Sequence, residues 1–401
     1  MIGETILCIS PRNWDALWRD TQQIMSRIAP QNRVLYFEPG RDGDSSIMGA
    51  IKRNVSNIFT LRTREVRKNL IVIPTPPSLP HARRHLPTFL LKYTMPLVIK
   101  LNTWILIRHI RWAVKKLGVQ TPILWLYSQY HNNLLGKFGE KLTCYYNIDE
   151  VAEFEDNQRV KTLIYRLDDQ LTRSVDVVFT TSRGQWQRRH VHNPHTYCIP
   201  NGVDFDLCNR ALEPDLPLPD DIVPIPHPII GFIGWLGFHI DVKLLVKIAR
   251  HNPTYALVLV GPEALPQTHD TETLHALPNV FFLGEKERTL IPNYLQAFDV
   301  ALMPYLVKGH ILSAYPLKLH EYLAAGRSIV ATALPELQPY THVVRVAQTH
   351  TAFIQQIDKA LDNHTPQAIA ARVKVAKANT WEQRITEIYR ALEPWLGDQN
   401  P

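Results

Sequence analysis

Acidic residues are missing from one long stretch of this chain of 401 residues. No Asp or Glu occurs from Val66 to Gly139, and the same stretch carries eleven Lys and Arg residues. The whole chain has a net charge of +7, so the remainder is net negative. The basic character therefore belongs to one region, and it indicates an anionic partner for that region.

The chain also lacks an apolar run long enough to span a membrane. Residues 81–116 have the apolar spacing of helices, but Lys92, Lys100 and Arg108 interrupt every window of about 20 residues. We expect Pro96 to break the helical segment. Two explanations stay open: an anionic membrane surface bound by residues 81–116, or a buried pair of helices whose charged ends reach solvent. No nucleic-acid-binding motif accompanies the basic residues, so no nucleic acid is expected as a partner.

Cysteine is scarce, which argues against a secreted disulfide framework. The four cysteines show no C-x-x-C spacing, and we expect them to be reduced thiols. The N-terminal sequence M-I-G-E-T-I-L-C-I-S-P has no basic segment and only a short apolar run, unlike a signal peptide. These features predict a cytoplasmic protein, with the basic region at the inner face of the cytoplasmic membrane.

Apolar strand patterns alternate with helical patterns along most of the chain. Such alternation predicts an α/β fold of two Rossmann-like, doubly wound domains facing across a cleft. The first domain is expected at residues 1–211, with its basic helical region at 66–139. A proline-rich linker at 212–228 would lead to a second domain at 229–378. A helix at 379–401 would pack back onto the first domain.

The stretch S-A-Y-P-L-K-L-H-E-Y-L-A-A-G-R-S-I-V-A-T, residues 313–332, combines a helix and a strand with unusual polar residues. We expect the helix to begin at Pro316, a residue favoured at the first helical position. Lys318 in the first turn would face a phosphate, and Glu321 would accept hydrogen bonds from two ribose hydroxyls. The stretch therefore predicts a site for a nucleoside diphosphate.

Several segments, taken in order, resemble the GT-B glycosyltransferases, most closely the bacterial glycosyltransferase family 4-like proteins. The resemblance is strongest over residues 145–335. The segments that carry it are V-D-V-V-F-T-T-S, I-P-N-G-V-D, G-F-I-G-W-L, P-N-V-F-F-L-G, Q-A-F-D-V-A-L-M-P-Y and P-L-K-L-H-E-Y-L-A-A-G.

The resemblance implies a nucleotide-sugar donor held by the second domain and a saccharide or lipid-linked acceptor held by the first. The implied activity is hexosyl transfer in cell-envelope or exopolysaccharide synthesis, without a metal or a bound cofactor. Glu321 matches the ribose-binding glutamate of the family, Gly234 the glycine beside the diphosphate, and residues 284–287 the loop beside the base. The full candidate donor-binding set is Gly234, Trp235, His239, Glu285, Ser313, Tyr315, Lys318 and Glu321.

The sequence departs from the family pattern at three places. Ser313 stands where the first of two glutamates separated by seven residues is usual. Trp235 and Ile240 stand where an Arg and a Lys are usual after the glycine loop. Lys318 would supply the missing positive charge.

The segment Y-Y-N-I-D-E ends a predicted strand of the first domain. Asp149 is the first candidate for a catalytic or substrate-orienting carboxylate, and Glu150 is the second. In an inverting transferase Asp149 would be the base for the acceptor hydroxyl, and in a retaining one it would only orient the sugars. The alternative is a carboxylate that caps the next helix. Asp241 precedes a helical pattern and is predicted as its N-cap.

Other functions were weighed on specific motifs. The segment G-F-I-G-W-L-G has the spacing of a dinucleotide-binding loop, which suggests an NAD-dependent sugar epimerase or dehydrogenase. The family's missing Glu, Arg and Lys suggest a degenerate, non-catalytic sugar-nucleotide or membrane-binding protein. The D-G-D triplet at 42–44 resembles a metal-binding motif of another transferase architecture, but a turn-rich loop is the simpler interpretation.

Overall fold

The computed structural model describes residues 1–16, 18–40, 61–76 and 88–397, with the backbone alone at 88–96 and 98. The D-G-D triplet at 42–44 and the cations at 83 and 84 lie outside the described residues. The chain forms two compact units, one of Met1–Pro200 with Ile385–Pro401, the other of Asn201–Arg384. Two parallel-sheet α/β units confirm the predicted fold class.

The first unit is built on a twisted sheet whose strand order is β3-β4-β2-β1-β5-β6-β7-β8. Every pairing is parallel except that of β3 with β4. Buried apolar residues run along the central strands because helices cover both faces of a parallel sheet. The strands are β1 (Thr5–Ile9), β2 (Arg33–Glu38), β3 (Arg64–Arg67), β4 (Leu70–Pro74), β5 (Ile123–Leu126), β6 (Leu142–Asn147), β7 (Val177–Thr180) and β8 (Thr196–Cys198).

The described α-helices of the first unit follow the strands as the alternation predicted. They are α1 (Asp20–Ile28), α2 (Thr88–Lys116), α3 (Gln158–Ser174) and α4 (Arg183–His190). Short 3-10 helices at Gln129–Leu134 and Val151–Phe154 follow β5 and β6. They carry the chain across the carboxyl ends of these strands.

Helix α2 corrects one prediction, because it continues through Pro96 as a single helix of 29 residues. A proline removes one backbone hydrogen bond, and a helix this long retains many others. In the described part of the chain, no helix is long and apolar enough to cross a membrane.

The second unit is built on a parallel sheet of order β11-β10-β9-β12-β13-β14. Its four central strands are fully buried, as expected for strands covered on both faces, and the two edge strands, β11 and β14, are mostly half-buried. The strands are β9 (Ile229–Ile233), β10 (Ala256–Val260), β11 (Val280–Gly284), β12 (Val300–Met303), β13 (Ser328–Thr332) and β14 (Arg345–Ala347).

The helices of the second unit begin with clear capping residues in several cases. Asp241 accepts a hydrogen bond from the Leu244 amide at 3.0 Å, which confirms its role as an N-cap. The described helices are α5 (Phe205–Asn209), α6 (Val242–His251), α7 (His269–Ala276), α8 (Ile291–Ala297), α9 (Lys318–Ala324), α10 (His350–Leu361) and α11 (Pro366–Lys377), and α12 (Trp381–Leu396) follows.

The unit boundaries differ from the domain limits expected from the sequence. The first boundary follows Pro200, and the second falls inside α12, after Arg384. The proline-rich segment 212–228 belongs to the second unit, where Ile222 and Ile225 are buried in its core. This segment packs because its apolar residues sit between the prolines, so it does not act as a free linker.

Candidate functional site

Three adjacent strands of the second unit end beside glycines. Gly234 and Gly261 follow β9 and β10, and Gly284 is the last residue of β11. The Gly234 amide donates to the Val260 carbonyl, and the Gly261 amide donates to the Gly284 carbonyl, both at 2.8 Å. A Cβ on Gly261 would lie 1.9 Å from the Gly234 carbonyl oxygen. Only a glycine at 261 allows the two backbones to approach this closely, which keeps this edge of the sheet open to a ligand.

Lys318 lies beside the first of these glycines. Its Cε would be 3.3 Å from a Cβ placed on Gly234, whose φ is +155°. Helix α9 begins at Lys318, so the prediction that it begins at Pro316 was wrong by two residues. The ammonium group thus reaches the glycine loop from the first residue of the helix. This is the position at which a phosphate bound by the loop would need a positive charge.

Glu321 lies one turn further along the same helix. Its carboxylate forms an ion pair with Lys318, with 2.7 Å between Nζ and Oε2, and both side chains are partly exposed. Tyr305 is nearby: burial raises the pKa of its hydroxyl, and the negative charge of Glu321 adds to that effect. Lys318 and Glu321 therefore meet beside Gly234, as the predicted nucleotide site requires.

An aromatic cluster adjoins the glycine loop. The Trp235 ring lies 5.2 Å from the His239 ring, and His239 stacks on Tyr305 with 5.5 Å between centroids. Phe238 contacts Trp235 at 5.4 Å and is 45% exposed. A Cβ on Gly237 would collide with the Trp235 ring, so this glycine allows the ring to lie against the backbone. Trp235 and His239 thus offer flat apolar surfaces beside the loop.

The three family departures have physical consequences in the structure. Ile240 is buried and pairs with Tyr305 in an isolated bridge, so its position is part of the core. Trp235 joins the aromatic cluster in place of a cation. Ser313 ends a 3-10 helix, Gly309–Ser313, and is half-buried. Lys318 is the cation that the structure brings to the glycine loop.

Two predicted donor-binding residues have different surroundings. Tyr315 is buried, and its hydroxyl lies 2.7 Å from both His320 Nε2 and the Tyr340 hydroxyl. The Tyr315 side chain is therefore part of the core and does not line the predicted donor site. Glu285 follows β11 and is exposed, so it stays a candidate for the loop beside the base.

The second candidate carboxylate of the first unit has a structural role. Glu150 is 6% exposed and accepts two hydrogen bonds from the buried Arg189, at 3.1 and 3.2 Å. The same guanidinium contacts Asp168 at 2.9 Å. A carboxylate held this way by a buried cation is poorly placed to accept a proton from a substrate. The prediction that Glu150 acts as a base is therefore replaced by a role in orienting the segment after β6.

Asp149 is half-buried at the carboxyl end of β6, and its neighbours include a carboxyl that the sequence did not reveal. Asp20, the first residue of α1, is 2% exposed. Burial raises the pKa of Asp20 to about 6, the Arg12 guanidinium opposes this shift, and the charge of Asp149 adds to it. Asp149 also interacts with Arg19. Two carboxyls and two guanidiniums thus share one edge of the first sheet.

Several buried polar atoms at this edge have no hydrogen-bond partner among the described residues. They include Asp20 Oδ2, Arg12 Nε, the Tyr127 hydroxyl and Asn147 Oδ1. Arg12, Tyr127 and Asn147 belong to the ends of β1, β5 and β6 or the residues just after them. Because buried polar groups are nearly always paired, these atoms indicate a place for ordered water or for substrate hydroxyls.

Asp20 was not predicted because its only local signal is an acidic residue in the first turn of a helix. Most such residues are solvated and serve the helix alone. Its burial depends on residues that follow β1, β5 and β6, and no short motif contains them. Gly261 was missed for a similar reason, since its constraint comes from Gly234 on the neighbouring strand.

Comparison with known proteins relates the second unit to a known family. Residues 227–363, about a third of the chain, match the family model of the glycosyl transferases group 1. This result favours a transferase over the NAD-dependent alternative suggested by the glycine spacing.

One curated relative of this chain is the "Putative teichuronic acid biosynthesis glycosyltransferase TuaH" of Bacillus subtilis (strain 168). The two sequences are 27% identical over 265 residues, which is 65% of this chain and 62% of the relative. The alignment thus spans less than two thirds of the relative's length.

Solved structures of low sequence identity share the fold of both units. Sucrose-phosphate synthase from Thermosynechococcus elongatus is 17% identical, with a TM-score of 0.67, and 97% of this chain and 99% of that chain are covered. HepE from Anabaena, in complex with UDP and glucose, is 13% identical, with a TM-score of 0.60 and coverage of 98% and 99%. A structure named "Trehalose-6-phosphate from E. coli bound with UDP-2-fluoro glucose" is 11% identical, with a TM-score of 0.68 and coverage of 97% and 99%. The chain has the GT-B fold.

Proposed function

We propose that this chain is a glycosyltransferase that moves a sugar from a nucleotide-sugar donor to a saccharide or lipid-linked acceptor in the synthesis of a cell-envelope polysaccharide. The observation that carries the proposal is the meeting of Lys318 and Glu321 beside Gly234. The group 1 domain match and the name of the Bacillus relative support the same activity and pathway class.

The donor's nucleotide is bound by contacts of two kinds. Lys318 carries the charge that opposes the diphosphate, beside backbone amides that a side chain at Gly234 would obstruct. Glu321 accepts hydrogen bonds from the ribose hydroxyls. Two of the structural neighbours hold UDP or a UDP-sugar, which makes a uridine nucleotide the first candidate. No metal is required, because the positive charge comes from Lys318.

The acceptor hydroxyl is activated or positioned in the first unit by Asp149. Its carboxylate is half-buried at the end of β6, in contrast to Glu150, whose charge is neutralised by Arg189. The charges of Arg12 and Arg19 oppose the rise in the pKa of Asp20 that burial causes. Asp149 is thus the group in this unit that can accept a proton from a hydroxyl.

The surface of α2 binds the protein to an anionic membrane from the cytoplasmic side. Leu97, Leu101 and Trp104 are 68%, 44% and 55% exposed, and they follow one another at helical spacing. Lys100 and Arg108 are exposed on the same side, and the Arg108 guanidinium lies 5.1 Å from the Trp104 ring centroid. An exposed stripe that combines apolar and cationic side chains suits an interface of acyl chains and anionic headgroups.

The opposite side of α2 is buried, which argues against a helix that is loosely attached. Ile99, Ile110 and Ala113 are each at most 8% exposed. The hypothesis of a buried pair of helices explains why these residues are buried. It does not explain why Leu97, Leu101 and Trp104 are exposed to solvent. The exposed stripe therefore favours the membrane proposal.

The test of the donor site is a thermal-shift and calorimetric screen against UDP, GDP, CDP, ADP, UDP-sugars, GDP-mannose and NAD. A ligand that binds only the folded protein raises its melting temperature, and the increase grows with the ratio of free ligand to Kd. Binding of one nucleoside diphosphate, lost in Glu321→Ala, is the expected result. Binding of NAD alone would replace the proposal with an oxidoreductase, and no binding by any nucleotide would favour a non-catalytic protein.

A further inference from the structure

A cavity of about 170 Å³ lies in the second unit, beside the first residues of β13 and β14. Ser328 and Arg345 are these first residues, so the cavity is at the amino end of the parallel sheet. Gly234 follows the last residue of β9, at the carboxyl end. The cavity is therefore separate from the proposed donor site. Its polar lining residues are Ser328, Thr341, His342, Arg345, Asn363 and Arg372.

Arg372 brings a buried positive charge to this cavity. The side chain is 2% exposed and donates to the Gly326 carbonyl, the Ser328 hydroxyl and the Asn363 carbonyl at 3.0, 2.8 and 2.8 Å. All three acceptors are neutral. Burial lowers the pKa of Arg372 to about 10, and the positive charges of Arg327 and Arg345 contribute to the decrease.

Arg345 adds a second guanidinium without a carboxylate. Its Nη1 donates to the Gln356 side-chain oxygen at 3.3 Å, and its Nε is buried with no hydrogen-bond partner among the described residues. Within the described ranges, neither Arg345 nor Arg372 forms an ion pair with an Asp or Glu. None of the described residues lining the cavity is acidic.

Arg372 is buried and Arg345 is half-buried. Two such guanidiniums without a counter-ion are unfavourable, because the desolvation of each charge is not offset by an opposite charge. An anion in the cavity would remove this cost. Guanidiniums bind phosphate through parallel hydrogen bonds, and the Ser328 hydroxyl also lines the cavity. The cavity has room for about ten water-sized spheres, enough for a phosphate with part of a small molecule attached.

We infer that the cavity between β13, β14 and α11 is a second ligand site, which binds a phosphate group through Arg345 and Arg372. The ligand is inorganic phosphate or a small phosphorylated metabolite. Arg372 also donates to the carbonyl of Gly326, which closely follows α9. A phosphate bound to Arg372 would therefore change the position of the helix that carries Lys318 and Glu321. The site is thus placed to couple an anion to the nucleotide site within one unit.

The test is a calorimetric titration of the full chain with inorganic phosphate and with glucose 6-phosphate, in chloride buffer at constant ionic strength. The Arg345→Gln variant removes one charge at the cavity, and Arg250→Gln is the matched control on the exposed end of α6. We expect binding about ten-fold or more weaker in Arg345→Gln and unchanged in Arg250→Gln. Tighter binding of glucose 6-phosphate identifies a metabolite as the ligand, and equal binding identifies the phosphate group alone.

A second variant and a donor-site variant separate the two phosphate sites. His342→Ala changes an exposed residue at the cavity and does not disturb buried hydrogen bonds. It can therefore test the site even if Arg345→Gln does not fold. We expect weaker phosphate binding in His342→Ala and unchanged binding in Lys318→Met. The inference is overturned if phosphate does not bind, if acetate binds equally well, or if binding is lost in Lys318→Met alone.

Discussion

The ammonium group of Lys318 lies 2.7 Å from the carboxylate of Glu321, and its Cε packs against Gly234. One lysine therefore links the glycine loop to the carboxylate assigned to the ribose. The arrangement divides recognition of a nucleotide between two side chains. In the proposed donor site, Lys318 would contact the phosphates and Glu321 would accept hydrogen bonds from the ribose hydroxyls.

Glu321→Gln should weaken binding of the nucleoside diphosphate found in the screen by about 10- to 100-fold, because one hydrogen bond to a charged group is lost. The 2′-deoxy analogue should bind wild type more weakly than the ribonucleotide does, and this difference should vanish in the variant. Calorimetry measures both. The exposed Glu272→Gln is the control, and an unchanged 2′-hydroxyl preference in Glu321→Gln would remove Glu321 from the site.

Gly261→Ala should destabilise the second unit by on the order of 4 kcal/mol or more, because its Cβ would overlap the Gly234 carbonyl. Gly284→Ala is the matched comparison. Its φ is +71° and no atom lies within 4 Å of the added Cβ, so only the backbone cost of about 1–2 kcal/mol applies. Urea denaturation measures the two free energies of unfolding. Equal losses of stability in the two variants would show that the close approach of Gly234 and Gly261 does not exclude a Cβ at position 261.

Asp149→Asn should lower kcat by about 10²- to 10⁴-fold, because the proton acceptor is lost. The melting temperature should change little, since Asp149 is only half-buried. Glu150→Gln should give the opposite result, with kcat nearly retained and a stability loss of about 3 kcal/mol, because the charge of Arg189 loses a buried partner. Steady-state kinetics and thermal denaturation of the two variants decide the assignment. A catalytic loss in Glu150→Gln without a stability loss would reverse it.

The buried carboxyl of Asp20 makes stability depend on pH. Burial raises its folded-state pKa from 3.8 to about 6, so the folded state binds the proton more tightly than the unfolded state. Protonation of Asp20 therefore adds to the free energy of unfolding. This stabilisation, about 3 kcal/mol in total, is fully present below pH 4 and is lost as the pH rises through 6.

Asp20→Asn should remove this dependence, because the amide does not ionise. Between pH 4 and 7, the wild-type free energy of unfolding should therefore fall relative to that of Asp20→Asn. The exposed Asp156→Asn should follow the wild-type profile. Parallel profiles for wild type and Asp20→Asn would show that the Asp20 carboxyl is solvated.

The exposed face of α2 should bind anionic vesicles. Each cation near such a surface contributes about 1 kcal/mol, so Lys100→Gln with Arg108→Gln should weaken partitioning by about 30-fold. The exposed pair Lys374→Gln with Lys377→Gln, in the second unit, is the charge-matched control. Co-sedimentation with phosphatidylserine vesicles measures the partitioning. Equal losses in the two double variants would attribute binding to net charge and not to α2.

The strands, and the placement of Lys318 and Glu321 one turn apart on a helix, were predictable from the sequence because their signals are local. Apolar runs bounded by Gly and Pro marked β9 to β13, and the spacing of Lys318 and Glu321 is fixed by one helical turn. The start of α9 was misjudged because Pro316 is compatible with the loop that precedes a helix as well as with its first turn.

The roles of Glu150 and Asp20 could not be predicted because they depend on distant partners. Glu150 is neutralised by Arg189, which is 39 residues away in sequence. Asp20 is buried by groups that follow strands from widely spaced parts of the chain. Desolvation and ion pairing of this kind become visible only when the sheet is assembled.

The first unit consists of Met1–Pro200 together with the residues from Ile385 onward. The contacts between these pieces include a hydrogen bond from Asn32 to the Tyr389 hydroxyl at 3.2 Å and an edge-on packing of His195 against Trp395. During synthesis on the ribosome, the first sheet therefore emerges long before the C-terminal residues of its own unit. It lacks these residues until the whole second unit has been translated. A chain interrupted near residue 380 would lack Tyr389 and Trp395, so the first unit would stay incompletely packed, and such intermediates are prone to aggregate.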